Sequence, residues 1–315
     1  MTPSAALHSD IFRVYFTLGA GLLILGGIAI AVLKWVLKKD MTHPWKAYRA
    51  WLIMVPLFLG CIFLGREAVI VFFTTIAVFA FKEFARATGL YRDWGMTGVV
   101  YAGIIAAGLV SLIYDPRLGV PGWYGLFIVL PVYVVAIILF VPIVRDRAQG
   151  QLQTIALAVV GFIYIGWMFG HFIFLANSRH AYGYIMFLLL AVELNDVVAY
   201  ACGKTFGRHK LRKTISPNKT WEGFLGALAV SMALPWILHF SFPHFGAVEC
   251  VLTGIIVGVG GLLGDLSISV IKRDLGIKDM GAIIPGHGGL LDRMDSLIYV
   301  APLFFHMTRF FHNVY

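Results

Sequence analysis

Ala247-Val-Glu-Cys-Val-Leu-Thr-Gly-Ile-Ile-Val-Gly-Val-Gly-Gly-Leu-Leu-Gly-Asp265-Leu-Ser-Ile-Ser-Val-Ile-Lys272-Arg273 is apolar for most of its length, holds an acid late in the run and stops on two cations. A bilayer core about 30 Å thick takes roughly 20 apolar residues in helical form to cross, so 247–271 reads as a membrane helix. Comparable runs cover 11–37, 50–65, 67–84, 95–114, 123–144, 152–176, 182–202, 222–240 and 294–313. Within lipid every backbone group must be satisfied by a helix or a closed barrel, and runs this long exclude the barrel. The expected fold is an all-α, polytopic integral membrane protein of about ten transmembrane helices.

Composition agrees. Of 315 residues, 60% are hydrophobic and 13% charged, and the mean hydropathy is +0.85, whereas soluble domains carry about 25% charged residues. A formal charge of +9 would suit nucleic acid if the cations shared one face, but they sit in short loops between apolar runs. No nucleic-acid partner is expected. Cys61, Cys202 and Cys250 have neither disulfide-framework nor zinc-type spacing. Met1 to Asp10 has no basic n-region and the following run is too long for a cleaved signal, so it is expected to stay as the first span.

Cytoplasmic loops hold the excess of Lys and Arg. Of the 25 such residues, 20 fall in one alternate set of loops and 5, at Arg13, Arg66, Arg117, Arg179 and Arg309, in the other. This puts both termini outside and the loops 203–221 and 272–293 in the cytoplasm. Acids enter the apolar runs mainly after residue 190, at Glu193, Asp196, Glu222, Glu249 and Asp265. Ionisable groups in a bilayer are costly and mark polar cavities or pathways, so residues 1–185 read as scaffold and lipid entrance and 186–315 as the catalytic region.

Three constellations carry chemistry there. The loop from Gly203 to Gly223 packs six cations, several hydroxyls and three glycines; Ser216-Pro217 followed by Thr220 resembles a helix start with free N–H groups for an anion. An ordinary positive-inside loop that attracts anionic head groups explains the charge equally well. Gly203-Lys204-Thr205 is not a P-loop, because position 198 is Val. On a helical period Asp265, Ser269, Lys272 and Arg273 form one polar stripe. Finally, Lys278-Asp279-Met-Gly-Ala-Ile-Ile-Pro285-Gly-His287-Gly-Gly289 leads into Asp292-Arg-Met-Asp295. Two carboxylates three apart can share a hard divalent cation, though acids at a helix start also favour its positive end.

Ser269-x-Ile-Lys-Arg273, Lys278-Asp279-x-Gly281 and Ile284-Pro285-x-His287-Gly-Gly-Leu-x-Asp292-Arg293-Met-Asp295 resemble the signature of the phosphatidate cytidylyltransferases, or CDP-diacylglycerol synthases. Asp196-x-x-Ala199-Tyr200, Gly203, Phe206-Gly207 and Ser216-Pro-Asn-Lys-Thr-x-Glu-Gly223 extend the resemblance over about 190–300. It implies transfer of a cytidylyl group from CTP to phosphatidate, releasing pyrophosphate, at the cytoplasmic face of the inner membrane and for phospholipid biosynthesis. It further implies Mg2+ on Asp265, Asp292 and Asp295, with room for a second, monovalent cation, and catalytic roles for those acids with Lys272 and Arg273. Asp196, Ser216, Lys219, Thr220, Ser269, Lys278, His287, Gly288, Gly289 and Arg293 become the substrate-binding positions, His287 without an assigned role. A homodimer is compatible with this reading. The acidic lead-in Glu193-Leu-Asn-Asp196 departs from the main pattern and suggests a side branch with another membrane phosphate or alcohol as acceptor. A CTP-dependent lipid kinase and an ion-coupled transporter using Glu193, Asp196 and Asp265 are the competing readings.

Overall fold

The computed structural model of the protein describes residues 1–38, 40, 42–281 and 288–312, with backbone alone at 43, 44, 46 and 47. After a short helix α1 (Pro3–His8) come α2 (Asp10–Trp35), α3 (Thr42–Leu64), α4 (Arg66–Ala87), α5 (Trp94–Leu112) and α6 (Tyr124–Val144). One continuous helical run follows, with α7 (Gln151–Val160), a wider π-helical stretch over Gly161–Met168 and α8 (Phe169–Phe174). The remaining helices are α9 (Ala181–Phe206), α10 (Trp221–Ile237), α11 (Ala247–Asp274) and α12 (Leu291–Phe311).

Each apolar run of the sequence is helical, but among the described residues seven helices are long and apolar enough to cross a membrane, fewer than the expected ten. The apolar part of α3, Tyr48–Leu64, and all of α10 are shorter. Helix α12 opens on Asp292, Arg293 and Asp295, which lower its hydropathy. The chain is a multi-pass membrane protein. The expected loop 203–221 is also more ordered than its charge suggests. Helix α9 runs on to Phe206, and two antiparallel strands, β1 (Lys210–Arg212) and β2 (Ser216–Thr220), pair Lys210 with Thr220 and Arg212 with Ser216.

Phenylalanines fill the first half: Phe73, Phe81, Phe84, Phe127, Phe169 and Phe172 are all buried, and Phe73 meets Phe172 edge-on at 4.9 Å. Buried Arg66 ties the start of α4 to the end of α5 and to the segment after α8, its Nε donating to Asn177 Oδ1 at 2.6 Å and its Nη2 to the carbonyls of Ser111 and Leu112 at 2.9 and 2.7 Å. In the second half, glycines let α11 and α12 approach closely, as small residues do in membranes. A side chain at Gly264 would strike the carbonyl of Asp295, and one at Gly260 would press on Val300 at 3.2 Å.

At the end of the bundle opposite the hairpin, by the starts of α9 and α11 and the end of α12, the imidazole of His244 stacks on His180 at 3.8 Å and meets His312 edge-on at 4.7 Å. Its Nε2 lies 2.7 Å from the Tyr184 hydroxyl, and His312 Nε2 lies 3.2 Å from Glu249 Oε1. Burial, then the neighbouring His180 and His312, push His244 from 6.5 down to about 4, with Glu249 acting in the opposite sense; burial also lowers His180. Between about pH 6.5 and 4 the unfolded chain takes up a proton that the fold refuses, so stability is full above that window and lost as pH falls through it. The melting temperature in detergent is therefore expected to fall between pH 7 and 5. His244→Gln, which keeps an acceptor for Tyr184, is expected to flatten that slope; an unchanged slope would place the acid sensitivity elsewhere.

Candidate active site

The C-terminal ends of α9 and α11 and the N-terminal end of α12 meet the β1–β2 hairpin. Helices α9 and α10 cross where Gly203 and Gly223 face each other, since a side chain at Gly223 would come 3.2 Å from the Gly203 Cα. Thr220 is the N-cap of α10, its hydroxyl accepting from the Gly223 N–H at 3.2 Å, as capping by a short hydroxyl side chain requires. Glu222 closes the hairpin base by accepting from the N–H groups of Arg208 and His209, at 3.1 and 3.2 Å. With the hairpin held in this way, Lys219 reaches across to Asp265, Nζ to Oδ2 2.5 Å. Arg273 fastens the turn from the other side, its Nε donating to the Ile215 carbonyl at 3.1 Å.

Asp265 also accepts from Ser269 Oγ at 3.1 Å, one turn further along α11. Lys272, the next turn of the same stripe, pairs with Asp292 at 2.7 Å, and both side chains are buried, 12% and 7% exposed. The second oxygen of Asp292 accepts from the N–H groups of Met280 and Gly289 at 2.8 and 3.0 Å. Gly288 adopts φ +83°, a left-handed conformation that favours glycine, and brings this backbone under the carboxylate. Asp295 is buried and accepts from the Ser296 N–H at 2.8 Å. It lies within electrostatic reach of Asp265 and Asp196. Asp196 in turn has Lys219, Asp265, Arg293 and Ser296 around it, and Glu193 has Asp196 and Arg293.

The structure thus brings together Asp196, Lys219, Asp265, Ser269, Lys272, Asp292, Arg293 and Asp295, with Gly288 and Gly289 beneath Asp292. Other expected positions serve differently. The Thr220 hydroxyl caps a helix, Ser216 lies in strand pairing rather than at a helix start, Arg273 binds carbonyls at the site's edge, and Lys278 is exposed. His287 lies outside the described residues. Asp265, Asp292 and Asp295 do not close on one point, and no group of three acidic, histidine or cysteine side chains among the described residues forms a ready metal cage. Asp265 and Asp292 each hold a different lysine instead. The donor set nonetheless fits a hard cation: it is all oxygen, and carboxylates outnumber the cations beside them. Magnesium needs only one or two protein carboxylates when phosphate oxygens complete its shell.

Three contributors were not singled out from the sequence as site residues. Glu83 of α4 is buried, and its Oε2 accepts from the Leu291 N–H at 3.0 Å, capping the start of α12. A side chain at Gly289 would meet that same oxygen at 2.7 Å, so Glu83 also borders the glycine-rich loop. Its signal was an acid inside an apolar run, masked by Lys82 and Arg86, which were read as ordinary loop charge. Tyr164 sits on the π-helical stretch, and its hydroxyl is shared between the carbonyls of Gly264 and Asp295 at 3.3 and 3.2 Å. Wider turns of this kind recur at functional sites, and nothing in local composition announces them. Asp279 closes the group: a side chain at Gly288 would come 3.3 Å from its carboxylate and 3.4 Å from that of Asp292.

Residues 45–311 match the model of the cytidylyltransferase family. A phosphatidate cytidylyltransferase of Staphylococcus haemolyticus (strain JCSC1435) is 32% identical over 253 residues, 80% of this chain and 94% of the relative. One of Staphylococcus epidermidis is 39% identical over 160 residues, 50% of this chain and 60% of that protein. The uncharacterized protein YnbB of Escherichia coli (strain K12) is 43% identical over 126 residues, 40% of this chain and 42% of the relative, so that alignment spans less than half of either protein. The chain therefore belongs to the cytidylyltransferase family and is a nucleotidyltransferase.

Proposed function

We propose that this enzyme transfers a cytidylyl group from CTP to phosphatidate at the cytoplasmic face of the inner membrane, giving CDP-diacylglycerol and pyrophosphate for phospholipid biosynthesis. The observation that carries this reading is the pair of lysine–aspartate contacts, Lys219–Asp265 and Lys272–Asp292. They lie about two turns of α11 apart; one joins α11 to the basic hairpin and the other joins α11 to α12. Relatives named phosphatidate cytidylyltransferase that align over most of the chain support the choice of substrates.

In this mechanism a phosphate oxygen of the lipid attacks the α-phosphorus of CTP; the new P–O bond forms as the bond to the β-phosphate oxygen breaks, and pyrophosphate departs with that electron pair. The attacking oxygen is already anionic at neutral pH, so no general base is needed. What the protein supplies is position and countercharge. Lys219 stands on strand β2 of the hairpin, where the triphosphate would arrive, with Ser216 and Thr220 holding the local backbone. Lys272 and Arg293 flank the α12 start, where the lipid phosphate approaches. Asp265, Asp292 and Asp295, with Asp196 behind them, would hold Mg2+, which when bound neutralises charge on the transferring phosphoryl group.

Purified protein given CTP, Mg2+ and phosphatidate in detergent or nanodiscs is expected to release pyrophosphate and form CDP-diacylglycerol, and EDTA is expected to stop both. Asp265→Asn is expected to cost about 100-fold in kcat or more, with melting behaviour retained because this pair is partly exposed. Formation of CDP instead of pyrophosphate would mark a kinase, and inactivity of the wild type toward a panel of lipid phosphates would overturn the assignment.

Glu83 gives a separate test. Glu83→Ala leaves the buried Leu291 N–H without that acceptor, a loss of about 1–3 kcal/mol, and is expected to lower turnover at least about tenfold. Glu83→Gln, which still offers a carbonyl oxygen, is expected to restore most of the turnover. Equal losses in both variants would point to the charge rather than to capping.

A further inference from the structure

Between α2 and α3 on one side and α4, α9 and α12 on the other lies a cavity of about 420 Å³. Its walls are apolar, with Trp51, Val55, Ile76, Leu190 and Met294 among them. Helix α9 lines it from Met186 to Val197, a depth of about 17 Å at 1.5 Å per residue. A void walled by aliphatic and aromatic side chains is not held open by water, and left empty it would forfeit dispersion contacts on every wall. At one end the lining changes: Glu193 and Arg293 border the same cavity. Arg293 lies within electrostatic reach of Asp196, which has Asp265 beside it, so the charged part of the cavity borders the acids of the site.

We infer that this cavity encloses one acyl chain of the lipid acceptor, with the phosphate at the Arg293 end and the second chain left in the bilayer. The inference rests on the proposed reaction for the identity of the acceptor. Its length argues for an acyl chain: a bilayer core about 30 Å thick is spanned by two opposed chains, so a lined depth of about 17 Å matches one. The polarity agrees, apolar over most of the lining and charged at Glu193 and Arg293.

Gly19 of α2 lines the cavity, and a Cβ added there meets only Val55 and Leu59, both at 3.5 Å, an ordinary contact. Ala at this position also favours the helix over Gly, so a graded series Gly19→Ala, Gly19→Leu, Gly19→Phe should fill the space stepwise without breaking the fold. The expected result is a progressive loss of kcat/KM for dioleoyl phosphatidate, reaching about tenfold or more with Phe, while dioctanoyl phosphatidate changes about twofold or less. Wild-type enzyme is expected to use single-chain oleoyl lysophosphatidate within about tenfold of the dioleoyl lipid. Should Gly19→Phe not give a monodisperse protein, Leu190→Trp fills the same space from the opposite wall. Equal effects on long and short chains, or none, would overturn the inference.

A readout without CTP separates it from the proposed reaction. Phosphatidate with a diazirine near the end of one chain is expected to crosslink to Val55, Ile76 and Leu190 in wild type and not in Gly19→Phe. Absence of those crosslinks in wild type would overturn the acyl-chain site even if cytidylyl transfer is observed. Crosslinking without any transfer would keep the site and sink the reaction.

Discussion

Charge is expensive at membrane depth, and the end of this protein where α11 and α12 meet the hairpin depends on how that expense is offset. Asp265 and Asp292 come from different helices, and each is met by a lysine from a segment other than its own: Lys219 from the hairpin, Lys272 from α11. Removing one partner of a buried pair leaves an uncompensated charge and costs about 3–5 kcal/mol. The buried Lys272–Asp292 contact therefore fixes the register between α11 and α12 more firmly than apolar packing alone would. Glycines make the contact reachable, because Gly264 admits the Asp295 backbone and Gly260 admits Val300.

The same pairs explain how a site crowded with carboxylates accepts anionic substrates. In the proposed reaction a polyphosphate entering beneath the hairpin would compete with Asp265 for Lys219, and a lipid phosphate at the start of α12 would compete with Asp292 for Lys272. Each lysine would then exchange its carboxylate partner for a phosphate, leaving the carboxylates as ligands for a hard cation. Asp265, Asp292 and Asp295 standing apart around separate partners is consistent with such an exchange.

Much of this was legible from the residues alone. Long apolar runs located the helices, and acids at Asp196, Asp265, Asp292 and Asp295 stood out because bilayers penalise them. The count of spans was less legible, since α3 and α10 are helices whose apolar parts fall short and α12 begins with charges that belong to the site. The basic loop hid a hairpin: its cations and glycines look the same in coil and in a short two-stranded turn, and pairing depends on Glu222 reaching back to Arg208 and His209. Glu83 and Tyr164 were beyond reach for a different reason. Each is more than 100 residues from its partner, Leu291 and Asp295 respectively, and local periodicity carries no information about such contacts.

Those two residues also change what the first half of the chain is for. Seen as sequence it is scaffold, yet α4 caps the first turn of α12 through Glu83, and the π-helical stretch steadies the Gly264 and Asp295 carbonyls through Tyr164. The apolar cavity between α2, α3 and α9 ends at Arg293, on the very turn that Glu83 caps. On the proposed reading, a lipid filling the cavity would press on the helix that presents Asp292 and Asp295, which would couple the fit of its chain to the placement of those acids. Binding energy from a remote, unreactive part of a substrate can in this way be used to position the reacting end.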